Sequence, residues 1–459
     1  MPMNKQDIFQ TVDSLQSVFE DCVSTLFTHP ETGGHEKFSA NYLRQILSSA
    51  GFTIHDQAKM EHAFYAEYGQ GKPVIAILGE YDALPGLSQK PISHQEPVQV
   101  GGAGHGCGHN LLGSAALVAA LAIQQWLAKE NMSGTIRFYG CPEEELLSGK
   151  VKMLRLGMFE GCDLALSWHP MDINCAYEES YLANISVRFV FRGKTAHAAV
   201  APWQGRSALD AVELMNVGVN YLREHVIDAA RIHYSTQCDN IPNIVPDLAS
   251  SWYFIRAPHM SDVLSILDRV EKVAKGAAMM TETTVDIDVE YGCWEMKKAK
   301  IMTDICYENL KEAPFPPFTQ EELDFAKAIQ MSVDPQIVEN KNHLYGTSQR
   351  IMNSCVEDRS FWKTVFMTAS TDTGDVSFNM PMSTFSSACW PVGIGPHTWQ
   401  AAACAGSSLG AKGAFYAAHV LAGQAFDFLQ EPEYVQAAQK EFNENKSIQY
   451  KSILNHFDS

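Results

Sequence analysis

The run Gly104-His105-Gly106-Cys107-Gly108-His109-Asn110 constrains this chain more than any other stretch. It places one cysteine and two histidines among three glycines, and glycine lets the backbone approach a small bound object closely. Thiolate and imidazole at this spacing are typical ligands of a transition metal. The run therefore predicts a metal site, although the same residues would also fit a glycine-rich turn that binds nothing.

Further acidic residues and histidines follow predicted strands. Asp82, Glu144, Glu145 and His169 each come just after an apolar, strand-like run. In open α/β sheets, ligand sites form outside the carboxyl ends of the strands. We therefore expect these side chains to converge at one edge of a sheet.

The order of the predicted elements indicates two domains. Helices and strands alternate through the first part of the chain, which predicts an α/β domain with a mixed, mostly parallel sheet flanked by helices. From residue 185 the order becomes β-α-β-β-α-β, which is that of a complete ferredoxin-like unit. We predict a catalytic domain of residues 1–184 and 296–459, interrupted by an α+β domain of residues 185–295.

The N-terminal segment is predicted to be helical. Apolar residues recur at helical spacing from Lys5 to Phe27 and again from Glu36 to Ala50, with Pro30 between the two runs. The pattern predicts two helices here, one for each run.

Composition excludes several classes of partner. A formal net charge of −19 argues against nucleic acid, because binding phosphates needs clustered Lys and Arg. The start of the chain carries no apolar run, and the apolar stretch 115–123 is shorter than the roughly 20 residues of a membrane helix, so we expect no membrane contact and a cytoplasmic protein. Eleven cysteines without regular spacing indicate reduced thiols rather than a disulfide framework.

Eight spaced motifs resemble one protein family over nearly the whole chain. They are GEYDALPG (79–86), GHGCGHN (104–110), PEEE with SGK (142–150), SWHP (167–170), GKTAHAA (193–199), NIVPD (243–247), STDTGDVSF (370–378) and PHTWQ (396–400). The chain is similar to the zinc-dependent aminoacylase, hippuricase and auxin-conjugate amidohydrolase type of metallopeptidase, and more narrowly to its aminobenzoyl-glutamate hydrolase branch. The resemblance implies a catalytic α/β domain, an inserted lid or dimerisation domain, and a homodimer formed through that insertion.

The resemblance also implies a set of metal ligands that are distant along the chain. They are Cys107, His109, Glu145, His169 and His397. Five ligands suggest two divalent metal ions. A set of thiolate, imidazole and carboxylate ligands suits Zn²⁺. The imidazole and carboxylate ligands of this set would also accept Mn²⁺ or Co²⁺.

Two further acidic residues receive roles from the resemblance. Glu144 is the implied general base, which takes a proton from the attacking water and later delivers it to the leaving amine. Asp82 is implied to orient a ligand histidine. Glu143 stands where many family members have a small residue, so the assignments of base and ligand could shift by one position.

In the inserted domain, the resemblance implies contacts with the substrate. His197 is the implied oxyanion donor, reaching the neighbouring subunit across a dimer interface. Asn243 and Arg256 are implied to hold the free carboxylate of the substrate, a task that suits the bidentate fork of arginine. A solvated or interface charge is the alternative interpretation of Arg256.

The implied function is a metal-dependent amidohydrolase that cleaves the amide bond of N-acyl or N-aroyl amino acids, such as an aminobenzoyl-glutamate-like compound. A dipeptidase acting on Xaa-Lys or Xaa-Arg dipeptides would keep the same site, and an acidic protein would tolerate cationic substrates. A non-catalytic binding protein on the same scaffold should lack a ligand or the base, and none is missing here. Cys107 acting as a nucleophile, with His105 or His109 as its base, is a further alternative.

Overall fold

The computed structural model describes residues 4–130, 132–177, 181–239, 241–358, 368–445 and 449–456. Its strands are β1 (Thr53–Asp56), β2 (Phe64–Gln70), β3 (Val74–Glu80), β4 (Gly134–Cys141), β5 (Leu164–Met171), β6 (Cys175–Ala176), β7 (Ala183–Arg192), β8 (Arg231–Gln237), β9 (Leu248–Ala257), β10 (Thr284–Cys293) and β11 (Met382–Ala388). Its α-helices are α1 (Lys5–Ser14), α2 (Gln16–Thr28), α3 (Lys37–Ser49), α4 (His109–Glu130), α5 (Gly149–Arg155), α6 (Ala208–Leu222), α7 (Met260–Thr281), α8 (Lys300–Glu312), α9 (Gln320–Gln330), α10 (Pro335–Leu344), α11 (Thr373–Ser377), α12 (Trp399–Ala405), α13 (Ser408–Gln430) and α14 (Pro432–Glu444).

The chain forms two compact units. Unit 1 consists of Met1–Glu179, Lys297–Phe366 and Val376–Gln449. Unit 2 consists of Ser180–Met296, Met367–Asp375 and Tyr450–Ser459. The boundaries inferred from sequence, with residues 185–295 as the inserted domain, stay a prediction.

Unit 1 is built on a seven-stranded sheet with the strand order β1-β2-β4-β3-β5-β11-β6. The four central strands β4, β3, β5 and β11 run parallel to their neighbours within that group, while β1, β2 and β6 pair in antiparallel fashion. Every residue of β3 is buried, as expected of a central parallel strand that is covered on both faces. The predicted mixed, mostly parallel sheet flanked by helices is confirmed.

Helix α4 is the principal core helix of unit 1. It packs against α13 and β3, so most of its side chains are buried. It is the one helix among the described residues that is long and apolar enough to cross a membrane, and 83% of its most apolar window is buried inside the protein. The continuous apolar stretch 115–123 lies inside this helix, which continues through Gln124 and Gln125.

Unit 2 contains a four-stranded antiparallel sheet with the order β10-β7-β9-β8. The elements follow one another as β7-α6-β8-β9-α7-β10, which confirms the predicted ferredoxin-like order. Alternate residues of β9 are buried because α6 and α7 cover one face of the sheet. Strand β8 lies at an edge of this sheet.

The segment predicted as one helix from Lys5 to Phe27 is two helices, α1 and α2. The break is at Leu15, whose backbone N–H bonds to the carbonyl of Val12 at 2.9 Å in a tightened last turn. Apolar residues keep their helical spacing across the break, so their pattern alone does not reveal it. The prediction of a single helix was therefore wrong.

Candidate metal centre

The predicted ligands of unit 1 are brought to the carboxyl ends of three adjacent parallel strands. Asp82 lies two residues beyond β3, Glu144 and Glu145 lie in the turn after β4, and His169 lies near the end of β5. His109 is the first residue of α4, so its backbone is fixed by the core helix. This is the edge at which α/β sheets place their ligand sites.

The donor atoms form three overlapping groups, in each of which all atoms lie within 4.8 Å of one another. The groups are Cys107 with His109 and His169, Cys107 with Glu145 and His397, and Glu80 with His109 and Glu144. Cys107 and His109 each belong to two groups. The five predicted ligands therefore belong to one continuous cluster, which Glu80 and Glu144 extend.

The spacing of these donors fits divalent cations. Two ligands of one tetrahedral Zn²⁺, at bond lengths of about 2.0–2.3 Å, lie roughly 3.3–3.6 Å apart. Cys107 Sγ lies 3.4 Å from His169 Nε2, and His397 Nε2 lies 3.3 Å from Glu145 Oε2. Within the described part of the chain, His109 Nε2 and Glu145 Oε1 are buried and have no hydrogen-bond partner. Because buried polar atoms are normally paired, a bound cation accounts for both.

Asp82 orients two of the candidate ligands. Its Oδ1 lies 2.8 Å from His109 Nδ1, which leaves Nε2 of that ring facing the cluster. Its Oδ2 accepts a hydrogen bond from the backbone N–H of Glu145 at 2.9 Å. Asp82 is 1% exposed, so both contacts are shielded from water. This geometry supports the orienting role implied by the resemblance.

The two remaining histidines are also held by the backbone. His169 Nδ1 lies 2.8 Å from the carbonyl oxygen of Pro170, and burial together with nearby His109 lowers the pKa of His169 to about 4, so the ring is neutral and able to bind metal at pH 7. His397 has a left-handed backbone with φ 63° and donates its N–H to the carbonyl of Gly106 at 2.8 Å. The C-terminal segment is thereby tied to the cysteine-containing loop.

The three consecutive glutamates are separated by their contacts. Ser148 Oγ donates to Glu143 Oε2 at 2.8 Å, and Lys152 pairs with the same oxygen. Glu144 Oε2 lies 3.8 Å from His109 Nε2. The carboxylate of Glu143 is therefore held by Ser148 and Lys152 within the turn. This favours Glu144 as the base and Glu145 as the ligand.

The geometry does not support Cys107 as a nucleophile served by His105. His105 Nε2 lies 3.1 Å from the carbonyl oxygen of Leu26. Burial and the neighbouring Glu145 raise the pKa of Cys107 well above its usual value, so the thiolate requires a cation beside it. Metal binding is the interpretation that the surroundings of this thiol favour.

Glu36 is a residue of the site region that the sequence interpretation missed. Its side chain is fully buried, and its Oε1 accepts a hydrogen bond from the backbone N–H of Glu143 at 2.7 Å. Burial, and then the charge of Asp82, raise the pKa of Glu36 to about 7. In sequence, Glu36 looks like an ordinary acidic residue at the start of a helix, and no local signal distinguishes it.

Glu80 and Lys150 were also missed, although both lie inside the quoted motifs. Lys150 Nζ is 2.6 Å from Glu80 Oε1, and their side chains are 0% and 3% exposed. Burial raises the pKa of Glu80, but the ammonium of Lys150 and the imidazole of His109 outweigh it and hold this pKa below its usual value. The signal available in the sequence was Glu80 itself, a charged residue at the end of an otherwise apolar strand.

In unit 2, His197 and Asn243 are brought together. The backbone N–H of Ala198 donates to the carbonyl of Asn243 at 2.9 Å. His197 Nδ1 accepts from the N–H groups of Ala199 and Val200, both at 3.2 Å, so the ring proton resides on Nε2. An exposed imidazole with a proton on Nε2 suits a donor to an oxyanion.

Arg256 lies on β9 of unit 2. Its Nη1 donates to Ser370 Oγ at 3.3 Å, while its buried Nε has no hydrogen-bond partner among the residues that the structure describes. A guanidinium with an unused buried donor can bind a carboxylate. The roles of His197, Asn243 and Arg256 stay predictions.

Comparison with known proteins identifies relatives of this chain. A sequence profile of Peptidase family M20/M25/M40 matches residues 76–383. One of the subunits of the p-aminobenzoyl-glutamate hydrolase of Escherichia coli (strain K12) is 40% identical over 457 residues, which are 95% of this chain and 95% of that protein. The Xaa-Arg dipeptidase of Mus musculus is 31% identical over 252 residues, which are 53% of this chain and 54% of that protein.

The fold is shared with solved structures. A dinuclear metal-binding peptidase of the M20 family from Bacillus subtilis superposes with a TM-score of 0.59 at 17% identity, covering 91% of this chain and 99% of that one. At this level of identity the similarity concerns the fold.

Proposed function

This chain belongs to peptidase family M20/M25/M40, and we propose that it is a dinuclear metallo-amidohydrolase acting on N-acyl or N-aroyl amino acids. The observation that carries the proposal is the single cluster of thiol, imidazole and carboxylate donors at the strand ends of unit 1. The relative that matches over nearly its full length is named for p-aminobenzoyl-glutamate, so an N-aroyl glutamate is the proposed substrate class.

The proposed metal ligands are Cys107, His109, Glu145, His169 and His397. We propose two divalent ions, with Zn²⁺ favoured by the thiolate and Mn²⁺ or Co²⁺ as alternatives. When bound, the metal pair supplies Lewis acidity and makes water nucleophilic near neutral pH, by lowering its pKa to about 7.

The residues of the chain supply the proton transfers and the positioning. One oxygen of Glu144 takes the proton of the attacking water and delivers it to the nitrogen of the scissile amide as that bond breaks. Asp82 keeps His109 and the backbone of Glu145 in place throughout. The products are a carboxylic acid and an amino acid.

The proposed contacts with the substrate come from the inserted domain, residues 185–295. The Nε2–H of His197 donates a hydrogen bond to the carbonyl oxygen that gains negative charge. The substrate that it contacts is bound in the neighbouring subunit. Arg256 and Asn243 hold the free carboxylate of the amino-acid product. The unused Nε of Arg256 supports this assignment.

We propose a homodimer that forms through unit 2. Leu214, Val217 and Tyr221 are 39%, 51% and 75% exposed and recur along one face of α6. The end of this helix adjoins β8, because Asn220 Nδ2 donates to Tyr234 Oη at 3.2 Å. An apolar helix face beside an edge strand is suited to pairing with a second copy.

A cytoplasmic location fits the thiol chemistry. The candidate ligand Cys107 forms no disulfide bond with any residue that the structure describes. Thiols stay reduced in the cytosol, whereas disulfides form in oxidising compartments. We therefore keep the cytoplasm as the proposed location.

The test compares two amides on metal-loaded protein. We expect p-aminobenzoyl-glutamate to be hydrolysed with a higher kcat/KM than an Xaa-Arg or β-alanyl-lysine dipeptide, because the near full-length relative is named as a hydrolase of the first compound. The control is E144Q, which removes the base and should lower kcat by roughly 10²–10⁴-fold while metal content is kept. Faster cleavage of the dipeptides would favour the dipeptidase, and binding without turnover of any amide would indicate a non-catalytic protein.

A further inference from the structure

Lys150 is a lysine without access to water beside the candidate metal centre. Its side chain is 0% exposed, and its Nζ lies 2.6 Å from Glu80 Oε1. Glu80 is the last residue of β3, and Lys150 lies in the first turn of α5. Burying an ammonium group requires an anionic partner, and Glu80 supplies it.

The second oxygen of Glu80 faces the candidate metal ligands. Glu80 Oε2 lies 3.4 Å from His109 Nε2, and Asp82 occupies the opposite nitrogen of that ring. Two donors of one tetrahedral Zn²⁺ at about 2.0–2.1 Å are roughly 3.3 Å apart. The distance from Glu80 to His109 therefore matches two ligands of the same ion. Glu144 Oε2 is more distant from the same nitrogen, at 3.8 Å, as suits a base that does not bind the metal.

A purely structural ion pair does not explain this arrangement well. Removing two charges from water is costly, so a buried pair is often no more stable than apolar residues of the same volume. One oxygen of Glu80 is enough to balance Lys150. The other oxygen points towards His109 Nε2, which has no hydrogen-bond partner among the described residues.

We propose that Glu80 is a sixth protein group at the metal pair, contacting through Oε2 the cation held by His109, and that Lys150 is the positioning residue that fixes its carboxylate. This inference rests on the proposed function, because it requires a bound metal. Lys150 acts by holding one oxygen of Glu80, which directs the other towards the ion. Neither residue has a role in the ligand set implied by the sequence.

The test measures metal binding rather than activity. Chelator-stripped protein is titrated with Zn²⁺ against a coloured competitor, and the Co²⁺-loaded protein is followed by its visible absorption spectrum. We expect E80Q to weaken binding of one ion by roughly 100-fold or more and to change the cobalt spectrum, because a charged ligand is lost. K150M should weaken binding of the same ion by roughly 10-fold, since Glu80 remains but loses the ammonium group that fixes its orientation.

The double variant E80Q/K150M separates metal contact from charge balance. If Glu80 only neutralised Lys150, removing both charges would restore wild-type affinity; if Glu80 contacts the ion, the double variant stays as weak as E80Q. The matched control is K412M, which removes the ion pair between Lys412 Nζ and Glu322 Oε2, 2.7 Å apart. Glu322 is a nearly buried carboxylate outside the metal cluster. Its metal affinities should equal those of the wild type.

The failure of this inference is distinct from the failure of the proposed function. Wild-type protein that binds two ions and hydrolyses the amide, together with E80Q that binds both ions equally well, overturns only the role of Glu80. Wild-type protein that binds no metal overturns the proposed function as well. If E80Q does not fold, E80D serves instead. Its side chain is shorter by one CH2 group, so it keeps a negative charge opposite Lys150 while its second oxygen no longer reaches the ion. Unchanged metal affinity in E80D would also overturn the inference.

Discussion

At the scale of single residues, the turn after β4 gives three adjacent glutamates three different environments. Glu143 has a left-handed backbone with φ 59°, and its carboxylate is held by Ser148 and Lys152. The next two carboxylates then face the cluster, Glu144 towards His109 and Glu145 towards His397. In the proposed mechanism, the shape of this turn would therefore decide which glutamate serves as base and which as ligand.

Glu36 should control the shape of that turn, because it accepts the N–H of Glu143. In E36L this partly buried N–H loses its partner, at a cost of up to about 1–3 kcal/mol, and the turn should shift. In E36Q the side-chain oxygen still accepts the bond. We expect E36L to lower both kcat and metal affinity and E36Q to remain near wild type, as measured by steady-state kinetics and Zn²⁺ titration.

The control for this prediction is S39A on the same helix. Ser39 Oγ donates to Glu31 Oε2 at 2.8 Å, a hydrogen bond that does not involve Glu143, so S39A tests for general weakening at the start of α3. If E36Q and E36L were equally impaired, or if S39A matched E36L, the positioning role of Glu36 would be refuted.

The sequence predicted the cluster of five candidate ligands because each lies in a recognisable motif. It did not predict Glu36, Glu80 or Lys150. The acceptor in Glu36 and the donor in Glu143 are 107 residues apart, and no local pattern reports such a contact. Residues that act through a distant partner become visible only in the folded chain.

At the scale of elements, Asp375 in α11 joins two parts of unit 2. Its Oδ2 accepts from the backbone N–H of Trp294 at 2.8 Å, and its Oδ1 accepts from Tyr450 Oη at 2.7 Å. Burial raises the pKa of Asp375 from 3.8 to about 7 despite both hydrogen bonds. The carboxyl group therefore holds its proton more tightly in the folded protein than in the unfolded chain.

This shift predicts a pH dependence of stability. Between about pH 4 and pH 7 the folded state binds more protons than the unfolded state, so the contribution of Asp375 to the free energy of unfolding falls as pH rises through this window. D375N does not ionise. We expect the thermal midpoint of the wild type, relative to that of D375N, to decrease from pH 4 to pH 8.

The control is D286N, which changes an exposed aspartate on β10. Its thermal midpoint should follow that of the wild type in parallel. Parallel curves for D375N and the wild type would show that Asp375 does not govern the dependence.

The elements themselves were predicted unevenly, for physical reasons. The strands and helices of unit 2 were predicted in order because each is a periodic run bounded by polar residues. The break between α1 and α2 was missed, because it depends on a tightened turn at Leu15 rather than on a change in periodicity. Capping geometry sets such boundaries, and hydrophobic spacing does not report it.

At the scale of the whole molecule, the proposed dimer makes each site depend on two chains. Tyr221 and Val217 lie on the exposed face of α6. We expect V217K/Y221K to give a monomer in sedimentation equilibrium and to lose most activity, because His197 then has no neighbouring site to serve. M279K, at a residue 81% exposed on α7, is the matched control and should remain dimeric.

Mixing two inactive variants tests the shared site within the same prediction. A mixed dimer of E144Q and H197A has one site with an intact base and an intact donor histidine from the other chain. Activity should therefore reappear on mixing. No recovery, with mixed dimers demonstrated, would show that His197 acts within its own chain or not at all.

The α/β fold class and its interruption by a ferredoxin-like domain were predictable, because the order of helical and strand-like runs in the sequence indicates both. The family followed from eight motifs in sequence, and the profile match confirms it. The contacts of Lys150 with Glu80 and of Glu36 with Glu143 were not predictable in the same way, since they depend on distances between groups far apart in the sequence.

The number of metal ions bound per chain decides whether the cluster is a dinuclear centre. Chelator-stripped protein, reloaded with Zn²⁺ and freed of excess metal, should retain two ions per chain by elemental analysis. H397A should retain fewer than two, because the group of Cys107, Glu145 and His397 loses a donor. A wild-type chain that retains no ion, or an H397A chain that retains as many as the wild type, would contradict the proposed centre.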